Sequence, residues 1–169
     1  VETECMCRAF DGIRASPSDW GAEELRRYRA LTEGRTGYPM VDACVRALLH
    51  TGWLNFRMRA MVASFAAYNL WLDWRGYAGW LARSFLDYEP GIHYPQLQMQ
   101  AGTTGINALR IYSVTKQGLD HDPDGVFIRR WVPELRQVPL KRLHAPSAMT
   151  RAEQEASGCV IGDDYPAPV

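Results

Sequence analysis

Residues Thr51–Glu89 read TGWLNFRMRAMVASFAAYNLWLDWRGYAGWLARSFLDYE. Apolar side chains recur along this stretch at three- and four-residue intervals, the spacing of one face of a helix. Two arginines, Arg57 and Arg59, are set into the apolar run, and two acids, Asp87 and Glu89, close it. Buried helices rarely keep charge without a partner or a ligand. The stretch therefore predicts a helical core with a site inside it. Two residues apart on a helix point about 200° apart. Arg57 and Arg59 should then face opposite ways, one inward to a buried acid and the other outward to ligand or solvent. The plainer reading is two surface arginines whose stems cover apolar neighbours. Asp87 and Glu89 fall at the expected C-terminal end of a helix, where the dipole disfavours acids, so they need another reason to be there, such as pairing with Arg59.

Working outward, the spacing predicts a helix from Leu54 to Trp74, broken at Gly76, with Trp71 and Trp74 on one face. A further helix follows, carrying Tyr77, Trp80, Leu81 and Phe85. Upstream, Ser16-Pro17-Ser18-Asp19 has the form of a helix start, leading into Trp20, Leu25, Tyr28 and Leu31 before Gly34. Met40–His50 reads as a helix with Val41, Cys44, Val45, Leu48 and Leu49 on its buried stripe and Gly52 as its cap. Downstream, residues 90–107 (PGIHYPQLQMQAGTTGIN) show no strong period and read as a loop with a short helical turn; a loop this long is usually functional. His93 lies in it, and imidazole is a natural proton carrier, although a lone histidine is more often structural. His50, His121 and His144 read as surface residues. Asp122-Pro123-Asp124-Gly125 is a turn by residue type, Val126–Trp131 a short helix, and the chain from Pro139 onward a tail lying across the surface. Alternating β-branched runs are scarce, so the predicted fold class is all-α, with residues 1–169 as a single helical domain.

Composition limits the function classes. The chain has 169 residues, 47% of them hydrophobic, and 19 basic residues balance 19 acidic ones. That is a globular chain rather than a disordered one, and its net charge gives no hint of nucleic acid, though a neutral total can hide a basic patch. No run reaches the roughly 18 apolar residues of a membrane span, and no signal-peptide pattern opens the chain. The four cysteines, Cys5, Cys7, Cys44 and Cys159, lack zinc spacing, so no metal is expected and the thiols read as reduced, in a cytoplasmic protein. The chain opens at Val1 and is expected to be processed or part of something longer.

Taken together, Gly34–Arg46 (GRTGYPMVDACVR), Thr51-Gly52-Trp53, Arg57-x-Arg59, Val62–Phe65, Leu72–Arg75, Asp87-x-Glu89 and Phe127–Leu135 resemble, in order, the flavin domain of the photolyase/cryptochrome family. The resemblance runs over roughly residues 30–145, and Asp164–Val169 is similar to a further family segment. It implies an all-helical domain that binds FAD and uses blue light. In photolyases the reduced flavin passes an electron to a pyrimidine dimer flipped out of DNA, which then splits and returns the electron; flipping suits a poorly stacked site.

Position by position, the resemblance implies that Trp53 packs beside FAD and that Arg59 and Asp87 form the pair beside the flavin ring. Glu89 replaces the usual second Asp. His93 stands where many photolyases place Asn near the flavin N5, a position that tunes protonation and radical state. Arg57 and Gln117 match DNA-contacting residues, with Phe56 replacing a polar Asn and Met99 replacing a Trp that packs on the flipped dimer. Trp74 matches the middle member of the photoreducing tryptophan chain, whose flavin-proximal member is replaced by Leu97. The family's N-terminal antenna domain and phosphate-gripping loop have no counterpart here, which implies the C-terminal part of the FAD-binding domain. Expected partners are damaged DNA and the missing N-terminal part of the same protein, or a second copy in a homodimer. Three functional readings follow: a light-driven repair lyase, a cryptochrome-type receptor without repair, and a flavin-free helical interaction module.

Overall fold

The computed structural model describes residues 20–104 and 111–169. The chain runs through α1 (Ala22–Thr32), α2 (Pro39–Thr51), α3 (Phe56–Ser64), a π-turn (Phe65–Asn69), α4 (Trp74–Ser84) and α5 (Pro90–Gln100). It continues through α6 (Val114–His121), α7 (Val126–Trp131), a 3-10 turn (Pro133–Leu135), α8 (Leu140–Leu143), a second 3-10 turn (Pro146–Ala148) and α9 (Arg151–Ser157). Among the described residues the only β pairing is an isolated bridge between Ile161 and Tyr165. The fold is all-α, as the period predicts.

Helix α2 is the axis. Pro39 occupies its first turn, Gly52 closes it in the left-handed conformation, and nine of its 13 residues are buried, so it must be covered on nearly every side. Helices α1, α3, α6 and α7 pack against it. Its first turn is held by Asp42, which is fully buried. The Asp42 carboxylate accepts from the Thr36 N–H at 2.7 Å, the Thr36 hydroxyl at 2.7 Å, the Gly37 N–H at 3.1 Å and the Tyr165 hydroxyl at 2.5 Å. Burial and the adjacent carboxylate push the Tyr165 hydroxyl well above its ordinary pKa, so it stays a donor. The tail passes so close to Gly37, itself at φ +80°, that a Cβ there would lie 2.5 Å from the Pro168 nitrogen.

Several expectations are corrected. Leu49, read onto the buried stripe of α2, is 52% exposed. The helix predicted from Leu54 to Trp74 stops at Ser64 and widens into the π-turn. Leu70 and Leu72 are then both fully buried on either side of an exposed Trp71 with φ +55°, so Trp71 and Trp74 share no helical face. Trp74 opens the next helix, capped by Asp73, whose side chain accepts from the Arg75 N–H at 2.9 Å. Gly76 breaks nothing: it lies inside α4, where a Cβ would come 2.2 Å from the Trp20 ring. A glycine in a helix pattern can mark a close approach as well as an end, and period alone does not separate them.

Residues 90–100 of the expected loop form α5, with Pro90 in its first turn and Pro95 within it. Pro95 removes the backbone bond to Gly91 and crowds its carbonyl, and burial of Leu97 favours the helix against that cost. The segment after Pro139 is not a surface tail: Leu143, Met149, Cys159 and Tyr165 are buried in it. His144, read as a surface residue, is 8% exposed and packs against Gly118. The helix start at Ser16, together with Cys5 and Cys7, lies outside the described residues.

Candidate ligand cleft between α3, α4 and α5

Helices α3 and α4 both pack against α5, and between them lies a cleft of about 390 Å³, within the size range of small-molecule sites. Its apolar lining includes Ala60, Ala63, Leu81, Phe85 and Leu97. The small residues on α3 are what let the cleft exist. Trp53 and Phe56 also line it, and are 56% and 63% exposed. Large aromatics left this open next to a cleft invite a stacked ligand.

Among the described residues, Arg59 is the only Lys or Arg lining the cleft. Its Nη2 donates to both Asp87 oxygens, at 2.9 and 2.7 Å, and its Nε to the Leu54 carbonyl at 2.7 Å. The guanidinium carbon lies 4.1 Å from the Phe85 ring centroid. The guanidinium bond holds the Asp87 carboxyl below the usual carboxylate range. Asp87 is delivered by a strap: the Leu86 N–H donates to the Gly52 carbonyl at 2.9 Å. Arg57, two residues back, is exposed, so the two arginines do part, but the acid that Arg59 meets, Asp87, is exposed rather than buried. The two acids do not share a helix end. Asp87 follows α4, whereas Glu89 is the N-cap residue of α5, where the dipole favours negative charge.

His93 lies one turn along α5, half-buried, with Nε2 3.0 Å from the Ala78 carbonyl. A carbonyl only accepts, so Nε2 carries the hydrogen and Nδ1 of the neutral ring holds the lone pair. Burial lowers the His93 pKa from its ordinary 6.5; the positive Arg59 acts in the same direction, and the Ala78 bond opposes them. The sign follows from linkage. A depressed folded pKa means the unfolded chain binds the extra proton first. His93 therefore contributes stability above about pH 6.5 that is lost as pH falls through the lower folded value. Urea unfolding at pH 7.5 and 5.0 should show this loss in the wild type, and a smaller loss in His93→Gln; equal losses would show that another group carries the pH dependence.

The structure thus gathers Trp53, Phe56, Arg59, Asp87, Glu89 and His93 around one cleft. Trp74, Met99 and Gln117 are half-buried and, with Arg57, do not line it. Gln96 and Gln100 do line it. They were hidden in a segment read as loop; the signal available was the spacing 89, 93, 96, 100, which is helical.

The profile of the family described as "FAD binding domain of DNA photolyase" matches residues 1–169. A cryptochrome DASH of Gloeobacter violaceus is 35% identical over 159 residues, covering 94% of this chain and 32% of that protein. A deoxyribodipyrimidine photo-lyase of Alkalihalophilus pseudofirmus is 37% identical over 171 residues, covering 99% of this chain and 35% of the relative. A Synechocystis cryptochrome structure superposes with a TM-score of 0.83 at 36% identity, over 88% of this chain and 31% of that one. The chain thus spans about a third of the length of the relatives it matches. On the match along its whole length, the chain belongs to the photolyase FAD-binding domain family.

Proposed function

We propose that the cleft holds the ring system of FAD and that the chain forms the ring-binding part of a domain that repairs pyrimidine dimers in DNA under blue light. The observation that carries this is the Arg59–Asp87 pair, set between an aromatic rim and a half-buried imidazole. These residues fit a flavin ring. The cleft is apolar enough to hold a heterocycle, and among the described residues one guanidinium, held by Asp87, faces it. The Gln96 Oε1 in its wall accepts no hydrogen bond among the described residues. FAD, when bound and reduced, supplies the light-excited electron that splits the dimer.

The chain's own residues set the surroundings of that chemistry. Arg59 favours negative charge on whatever occupies the cleft, and Asp87 fixes its orientation through two hydrogen bonds. His93 keeps Nε2–H on Ala78 and so presents Nδ1 as an acceptor. Trp53 offers an exposed face beside the flavin ring, and Phe56 one on which a flipped base would stack. Arg57, exposed one residue from Phe56, would meet phosphate; Gln117 and Met99 belong to the same proposed DNA contact, and Trp74 to an electron path. The partners proposed are damaged DNA and further polypeptide, either an N-terminal part of the same protein or a second copy, in the cytoplasm. No described helix is long and apolar enough to cross a membrane.

The test is an oligonucleotide carrying one thymine dimer, mixed with FAD-loaded, reduced protein and illuminated. Light-dependent loss of the dimer is expected. Arg57→Ala should weaken oligonucleotide binding and lower the salt slope of log K by about 1; an unchanged slope removes Arg57 from the interface. A second reading, a receptor without repair, is favoured by Leu97, which is buried at the position of the flavin-proximal tryptophan. Bound flavin without dimer loss would select it.

A further inference from the structure

Glu89, His93, Gln96 and Gln100 follow one another at spacings of four, three and four, and all line the cleft. That spacing keeps them on one face of α5. Across the cleft the wall is apolar, with Ala60, Ala63 and Phe85. A line of polar groups facing an apolar wall suits a ligand that is flat and greasy in the plane and polar along one edge.

Gln96 is the anomalous member. Its Oε1 is shut off from water and accepts no hydrogen bond among the described residues. Buried polar atoms nearly always have a partner, and leaving one without costs more than an ordinary hydrogen bond returns. The imidazole one turn away does not relieve it, because its Nε2–H is committed to Ala78. The last torsion of a glutamine side chain is broad, so the amide turns into the cleft at little cost once a donor arrives there. A side-chain amide carries one acceptor and two donors. It is the complement of a lactam edge, an N–H beside a carbonyl.

We propose that Gln96 is a specificity-determining residue that reads such an N–H/C=O edge on a planar heterocycle in the cleft, with Gln100 one turn further supplying a second amide. This rests on the reading of the cleft as a ring-binding site. Two molecules carry the edge, a flavin ring and a thymine base, each with N3–H flanked by carbonyls, and methylating N3 removes the donor from either.

The experiment has two arms. Riboflavin and N3-methylriboflavin are titrated by fluorescence quenching. Oligothymidylate and its N3-methylthymine counterpart are titrated by anisotropy. Wild type, Gln96→Leu and Gln96→Glu are compared in both. In the arm whose ligand Gln96 reads, methylation should weaken wild-type binding about tenfold. Gln96→Leu should bind parent and methylated ligand equally, at the weaker level, and Gln96→Glu, which keeps an acceptor, should restore the preference. Preference in the riboflavin arm assigns the edge to flavin, and preference in the thymine arm to a base. Equal binding of parent and methylated ligands by wild type in both arms overturns the inference while leaving ring binding intact. Failure of wild type to bind either parent ligand removes the ring-binding reading and this inference together.

Discussion

Replacing Asp42 with alanine should destabilise the protein by about 3–4 kcal/mol and lower its Tm by roughly 10 °C. The reason is the count of donors left behind. Asp42 is fully buried and accepts from two backbone N–H groups and two hydroxyls. Deleting it orphans all four, each at a cost of about 1–3 kcal/mol if nothing replaces the acceptor. Water entering the vacated space recovers part of that, so the net loss is smaller than the sum. Tyr165→Phe removes a single donor and leaves three, so about 1 kcal/mol is expected. Urea unfolding with an unchanged m-value is the measurement. If Asp42→Ala fell within 1 kcal/mol of wild type, the four groups would be satisfied by solvent and the hub would carry no stability.

Arg59→Leu should weaken FAD binding about 100- to 1,000-fold. Arg59 makes two hydrogen bonds to Asp87 and one to Leu54, and lies over Phe85. Removing it takes away the only guanidinium that the described residues give the cleft and leaves Asp87 as an uncompensated negative charge beside the ligand. Losing a charged hydrogen-bond partner costs about 1.5–3 kcal/mol, and the reversal of local charge adds to that, giving the quoted range. Arg59→Lys should not rescue fully, because an ammonium cannot span two carboxylate oxygens and a carbonyl at once. Asp87→Asn keeps the cation and should cost about tenfold. Flavin fluorescence titration reads all three. An unchanged affinity in Arg59→Leu would place the ring elsewhere.

How much of this was legible in the sequence differs by element. Helix α2 was, because its period and Gly52 point the same way. The Arg59–Asp87 pair was, because a charge inside an apolar helix and an acid after one each demand a partner. The π-turn was not: it changes the helical step only locally, and Leu70 and Leu72 still look like ordinary apolar positions. Helix α5 was hidden by its prolines, glycines and glutamines, which argue for a loop one by one; only the 89-93-96-100 spacing and the burial of Leu97 outweigh them. The buried C-terminal segment was masked by its composition. Tyr165 and Cys159 find their cover on elements far away in sequence, which no local pattern records.

The hydrogen bond from Tyr165 to Asp42 joins residues 123 positions apart. Such a contact closes a long loop, whose entropy must be met before the contact gives anything back. The Thr36 and Gly37 bonds to the same carboxylate span only five or six residues and can form with the first turn of α2. Asp42 therefore belongs to two stages of assembly: an early one in which it shapes a local turn, and a late one in which the arriving tail seals it from water. In the interval it is a hydrated carboxylate on a nascent helix, and its burial waits for the tail.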